Sequence, residues 1–152
     1  MLEEQQSGLT PGGITFVAPK APRKIALVGT APSSQSAPFK DPSFEIWGVG
    51  FRGEHVPRAN RWYEVHNLSL NKDGEDWPPL LRKWAHDADL HMMIPDQRLA
   101  DLGPKIKAIK AKHILANHNP RFLSSSFAWM MVDAIYADEY YGEEPVSEIG
   151  LW

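Results

Sequence analysis

The chain has 152 residues, no cysteine, 43% hydrophobic residues with six tryptophans among them, and a formal net charge of −3. That length suits one domain with a buried core, the apolar content excludes a disordered chain, and the lack of cysteine excludes disulfides, thiolate metal sites and a cysteine nucleophile. The slightly acidic balance argues against a duplex nucleic-acid surface, which needs a basic face.

The first residues are acidic and polar, without the basic-then-apolar order of a secretory signal, and no window reaches the ~18 apolar residues of a membrane span. The expectation is a soluble, cytoplasmic protein that does not enter a membrane. Residues 1–23 hold Gly8, Pro11, Gly12, Gly13, Pro19 and Pro22. They read as a flexible leader, with one short apolar patch from Ile14 to Val17 as a small edge strand, before an α/β domain over 24–152.

That domain opens on Lys24-Ile25-Ala26-Leu27-Val28, a short apolar run stopped by Gly29. Continuous and partly β-branched, it predicts a strand covered on both faces in a parallel sheet. Gly29, Thr30, Ala31, Pro32, Ser33 and Ser34 then form a loop of small and hydroxylated residues at the strand's carboxyl end, where open α/β sheets bind ligands. The loop lacks the Gly-Lys-Ser/Thr of a Walker motif and the three glycines of a dinucleotide fingerprint. Residues alone leave two readings, a nucleotide or phosphate loop and an ordinary strand-to-turn junction.

Residues 44–50 predict a second buried strand and 51–60 a loop. Residues 61–66 form a third strand, whose last members Glu64 and His66 are two apart and so share a face. Pro78 and Pro79 suit the first turn of a helix to about Asp87, with Leu81, Trp84 and Ala85 as its apolar side. Residues 90–94 predict a fourth strand. The stretch 97–112 reads as helical in its second part, with Lys105, Lys107, Lys110 and Lys112 around Ile106 and Ile109, a solvated face rather than a phosphate site. Residues 113–118 read as a fifth strand or an irregular link.

Ser124, Ser125 and Ser126 lead the clearest helix, 127–136. Their oxygens can cap it, and its free N–H groups can hold an anion. Residues 140–144 are an acidic turn, and 148–152 begin a further strand that stops at Trp152, which reads as a C-terminal truncation, natural or of a fragment. The strands, apolar throughout and alternating with helical segments, predict a three-layer α/β fold with a mainly parallel sheet.

Several stretches resemble a widespread group of bacteriophage-encoded proteins of unassigned function. They are Ala26 to Ser34, Glu45-Ile46-Trp47, Arg61-Trp62-Tyr63-Glu64-Val65-His66-Asn67, Ser124 to Met131 and Glu148 to Trp152. The resemblance covers most of the chain from residue 24 and implies the cytoplasm of a bacterial host. More remotely, the order of elements is similar to Rossmann-like bacterial sialyltransferases and pterin pyrophosphokinase-like proteins. Those families open with a strand and a Gly-x-x-Pro-Ser loop, matched by Gly29, Pro32 and Ser33. They continue after the serine-led helix with an Ile-x-Leu-x-Gly-x-Asp strand, of which only Ile149 and Leu151 are matched here. The resemblance implies a Rossmann-like fold and a small-molecule nucleotide or nucleotide-sugar partner, with glycosyl or nucleotidyl transfer as the activity. It specifies no cofactor.

For chemistry, Glu64 and His66 are the acid/base pair, since a carboxylate beside an imidazole orients it and raises its basicity; a structural salt link is the other reading. Arg58 and Arg61 offer planar donors to phosphates. His86, His91, His113 and His118 read as solvated or capping histidines, no metal motif is present, and the absence of Gly-x-Ser-x-Gly makes a serine hydrolase unlikely. The competing class is a non-enzymatic phage accessory protein that binds a nucleotide or a host factor. A homo-oligomer is compatible with the sequence.

Overall fold

The computed structural model describes residues 21–50, 55–66, 79–93 and 106–152. Among these, six strands form one sheet: β1 (Arg23–Val28), β2 (Phe44–Val49), β3 (Arg61–Glu64), β4 (Asp89–Met92), β5 (Ile106–Ala108) and β6 (Val146–Leu151). All are parallel, in the order β5-β4-β3-β2-β1-β6. The helices are α1 (Pro79–Asp87), α2 (Ala111–Asn117), α3 (Ser126–Ile135) and α4 (Ala137–Tyr141), with 3-10 turns at Pro32–Ser36 and Pro120–Phe122.

Strand alternation divides the core into two layers. Ala26, Val28, Ile46, Trp62, Leu90, Met92 and Ile106 face one way and pack with Trp84 of α1. Ile25, Leu27, Trp47, Val49 and Tyr63 face the other way and pack with Ile114 of α2 and with Met130 and Ala134 of α3. Helices on both faces of a parallel sheet make this a three-layer, Rossmann-like α/β domain. Burial on both faces is why the central strands read as unbroken apolar runs.

The chain steps from β1 to β5 in one direction and then crosses the whole sheet to lay β6 on the other side of β1. With right-handed crossovers, reversing direction moves the connections to the opposite face, which is where α2 and α3 lie relative to α1. The reversal creates a topological switch point between β1 and β6, and such points are where α/β sheets form ligand crevices.

Two readings of the sequence are corrected here. The expected basic helix is not formed over its second part, because residues 106–108 are strand β5, with Leu90, His91 and Met92 of β4 opposite Ile106, Lys107 and Ala108. Lys107 reaches Asp89 at 2.6 Å, so it is an ion-paired strand residue. The expected strand or link at 113–118 falls in α2, which runs to Asn117 and buries Ile114. The leader through residue 20, including its apolar patch, lies outside the described residues, as do Asn67, Pro78, Ile94 and residues 97–105. No helix among the described residues is long and apolar enough to cross a membrane.

Candidate functional site

At the carboxyl edge of the sheet, β1 delivers the loop 29–34. Gly29 donates its N–H to the carbonyl of Trp152 at 2.9 Å, and Trp152 donates to Leu27, also at 2.9 Å, so the loop starts on the switch point itself. A Cβ on Gly29 would stand 2.9 Å from the Phe127 ring of α3. A side chain there would have to push the Phe127 ring aside, and the contact brings the loop and the serine-led helix to one edge. Thr30, Ala31, Pro32 and Ser33 are exposed, as are Ser124 and Ser125, while Ser126 is half-buried. Ser125 is the N-cap, accepting from the Ala128 N–H at 3.3 Å. Capping thus uses one serine of the three.

Ser34 differs from the rest of its loop. It is fully buried, donates from Oγ to the Ala31 carbonyl at 2.6 Å and meets Nε2 of His55 at 2.7 Å. Its role is to tie the loop after β1 to the connection between β2 and β3.

Glu64 and His66 do come together. Glu64 ends β3 with its side chain wholly buried, and its Oε1 accepts both the His66 backbone N–H at 2.7 Å and Nδ1 at 2.5 Å. The strand stops at Glu64, so a turn rather than strand periodicity makes the pair. Among the described residues Oε2 of Glu64 is buried without a hydrogen-bond partner, whereas the His66 ring is 66% exposed. A carboxylate at Nδ1 sets the orientation of the imidazole ring. β1 and β3 are two interstrand spacings apart, roughly 10 Å, so a ligand larger than a phosphate is needed to touch both the loop and this pair.

The two arginines do not join this edge. Arg58 donates to the carbonyls of Phe39, Asp41 and Phe44 at 2.7, 2.8 and 3.0 Å. Arg61 enters β3 from the opposite end and lies under the Glu143 carboxylate, with Trp47 stacked 4.3 Å from its guanidinium carbon.

That opposite, amino-terminal edge carries the densest polar network among the described residues, and sequence reading missed it. Arg23 makes a two-pronged bridge to Glu45 at 2.6 and 2.7 Å and a third contact to Glu143 at 2.6 Å. Glu143 continues to Arg61, whose Nη1 is 3.8 Å from Asp133. Asp133, inside α3 and fully buried, accepts from the hydroxyls of Tyr63 and Tyr141. Burial pushes its carboxyl up, against the pull of those hydroxyls and of Arg61. The hydroxyls of Tyr63 and Tyr141 are raised too, first by burial and then by the Asp133 charge. Beside them His91 is completely buried, 4.9 Å from the Tyr63 ring, which corrects its reading as a solvated histidine. Above the network opens a cleft of about 640 Å3 lined by residues that enter strands, among them Arg23, Arg61, Asp89 and Glu143. The one sequence signal was Asp133, a lone charge in an apolar helix.

Family models, curated proteins and solved structures were compared with the chain, and none matches. No three His, Asp or Glu side chains among the described residues are grouped to hold a metal ion.

Proposed function

We propose that the chain binds a nucleotide or nucleotide sugar at the carboxyl edge of the sheet and transfers a glycosyl or nucleotidyl group from it. The observation that carries the reading is the meeting of the loop 29–34 with the serine-led start of α3 at the β1/β6 switch point, where Gly29 lies against the Phe127 ring. The exposed hydroxyls of Thr30, Ser33 and Ser124 and the N–H groups of the first helical turn suit donor phosphates. His66, oriented by the buried Glu64, suits the base that deprotonates an acceptor hydroxyl. Arg61 has no part in this reading, because it serves the network at the other edge. The resemblance of the Gly29, Pro32 and Ser33 loop to sialyltransferase-like enzymes points the same way.

Thermal unfolding in the presence of nucleotides and nucleotide sugars tests the binding. A ligand at ~100 times its dissociation constant stabilises by roughly 2.7 kcal/mol, and no shift with any of them counts against the site. Turnover is tested separately with His66→Ala, which should keep ligand affinity and lose ~10²–10⁴-fold in rate. Affinity without turnover in the unaltered protein assigns it instead to binding alone, as a phage accessory protein would require.

A further inference from the structure

From Thr30 to Ser36 every residue is exposed except Ser34, which is fully buried and so anchors the loop that follows β1. Its backbone N–H and its Oγ both donate to the Ala31 carbonyl, at 2.9 and 2.6 Å. That carbonyl belongs to the peptide joining Ala31 to Pro32, and the proline ring locks its own φ, so the middle of the loop is held from both sides. Thr30 and Ser33 flank it directly.

The Ser34 hydroxyl has one hydrogen, and it is given to Ala31. The 2.7 Å contact between Ser34 Oγ and His55 is therefore donated by the ring from Nε2. A serine and a histidine at this distance make a nucleophile and its base when the hydroxyl is open to substrate and gives its proton to the ring. Here the hydroxyl is buried and its proton goes elsewhere, so the contact orients the loop and performs no attack.

His55 is exposed, but the segment that carries it is firmly held. Val56 beside it is buried in the core, and Arg58 donates to the carbonyls of Phe39, Asp41 and Phe44. Asn60 accepts the Ile46 N–H on its side chain at 2.9 Å and donates its own N–H to the Ile46 carbonyl at 2.7 Å. The ring thus carries the position of β2 and of the residues leading into it across to the loop after β1.

We infer that His55 is a positioning residue of the anion-binding loop: its Nε2–H commits the Ser34 hydrogen to Ala31 and so holds Thr30 and Ser33 in place for the phosphates of a nucleotide. The inference rests on the nucleotide reading above and adds the side chain that orders that site from outside it. Without the ring, the buried Ser34 oxygen loses its donor and its hydrogen can turn away from Ala31.

Pyrophosphate is the probe, titrated into the full chain while backbone amides are followed by NMR. The expected result is a saturable shift of the Thr30, Ser33 and Ser126 amides. His55→Leu should weaken binding roughly tenfold, the scale of one hydrogen bond, with the unfolding midpoint unchanged because the residue is exposed. His55→Gln supplies an N–H donor again and should bind as the unaltered protein does. Ser34→Ala should match His55→Leu, and combining the two should cost nothing further, since the histidine acts through the hydroxyl. In the free protein, amide relaxation should show residues 30–36 more mobile in His55→Leu and unchanged in His55→Gln. The inference is overturned if His55→Leu binds pyrophosphate as tightly as the unaltered protein, if His55→Gln fails as His55→Leu does, or if the losses of the two single variants add. Equal loop mobility in free His55→Leu and the unaltered protein overturns it alone, whereas an unaltered protein that binds no pyrophosphate overturns the nucleotide reading and this inference with it.

Discussion

Both ring nitrogens of His91 are buried without a hydrogen-bond partner among the described residues, Nδ1 stands 3.6 Å from the Asp133 carboxylate, and the ring lies tilted against Tyr63 and edge-on to Tyr141. Burial, reinforced by the charges of Arg61 and Lys107, drives its pKa well below the ordinary 6.5. The unfolded chain takes up a proton near pH 6.5 that the folded chain refuses, so the unfolded state binds more protons and stability falls as pH drops below that value. Asp133 acts in the opposite sense, since its raised folded pKa makes the native state the better proton acceptor on the acid side of that pKa. Replacing His91 separates the two. His91→Phe keeps the ring contacts and removes two buried nitrogens without hydrogen bonds, so stability at pH 7 should be unchanged or higher, and the loss between pH 6.5 and 5 should flatten. Thermal melts of both proteins over that range decide it, and an unchanged slope refutes the assignment. Asp133→Ala should cost roughly 2–5 kcal/mol in urea unfolding, because two buried tyrosine hydroxyls lose their acceptor and Arg61 loses an opposite charge 3.8 Å away.

Between elements, packing turns on a few positions where a strand must be flat. Gly48 of β2 lies beside Trp62 of β3, and a Cβ on it would stand 2.2 Å from the indole ring. The same indole stacks on Trp84 of α1 at 4.7 Å and donates from Nε1 to the Gly50 carbonyl at 2.8 Å, so it has nowhere to move. Gly48→Ala should therefore destabilise by about 1–3 kcal/mol, the range for overpacking, and Trp62→Leu in the same chain should make the alanine less costly. A double-mutant cycle by urea unfolding measures the coupling, and strict additivity would show that the indole yields. These strands were legible in the sequence because burial on both faces leaves an apolar run whatever the neighbours. β5 was not, since three residues carry little periodicity and the charge of Lys107 is hidden by a partner, Asp89, eighteen positions away. The carboxyl-edge loop was legible for a local reason, a glycine followed by hydroxyl residues in one stretch. The His55 link and the Arg23–Glu143–Arg61 network were not, because each is assembled from elements far apart in the chain, and no spacing rule joins them.

At the scale of the whole molecule, the return of the chain to β6 sets how the sheet opens. β1 has a strand on each side and core on both faces, whereas β6, among the described residues, is joined only to β1, with Ser147, Glu148 and Leu151 exposed and a register shift between Arg23 and Lys24. An edge with little buried apolar surface separates before the centre does. In an extended strand successive residues turn their backbone groups to opposite neighbours. Leu27 and Gly29 bond to Trp152 beyond β6, so Val28 and Ala26 turn toward β2. Hydrogen exchange along β1 should therefore alternate. Leu27 and Gly29 should exchange whenever β6 lifts away, while Ala26 and Val28 wait for the sheet itself to unfold. Residue-resolved exchange by NMR under native conditions reads this directly, with the even-numbered amides reaching the protection set by global unfolding and the odd-numbered ones falling below it. Equal protection of Leu27 and Val28 would mean that β6 does not open separately from the rest. If nucleotide binding at the switch point bridges Gly29 and the start of α3, it should raise the odd-numbered amides toward the even-numbered ones, because closing that edge is then linked to the ligand.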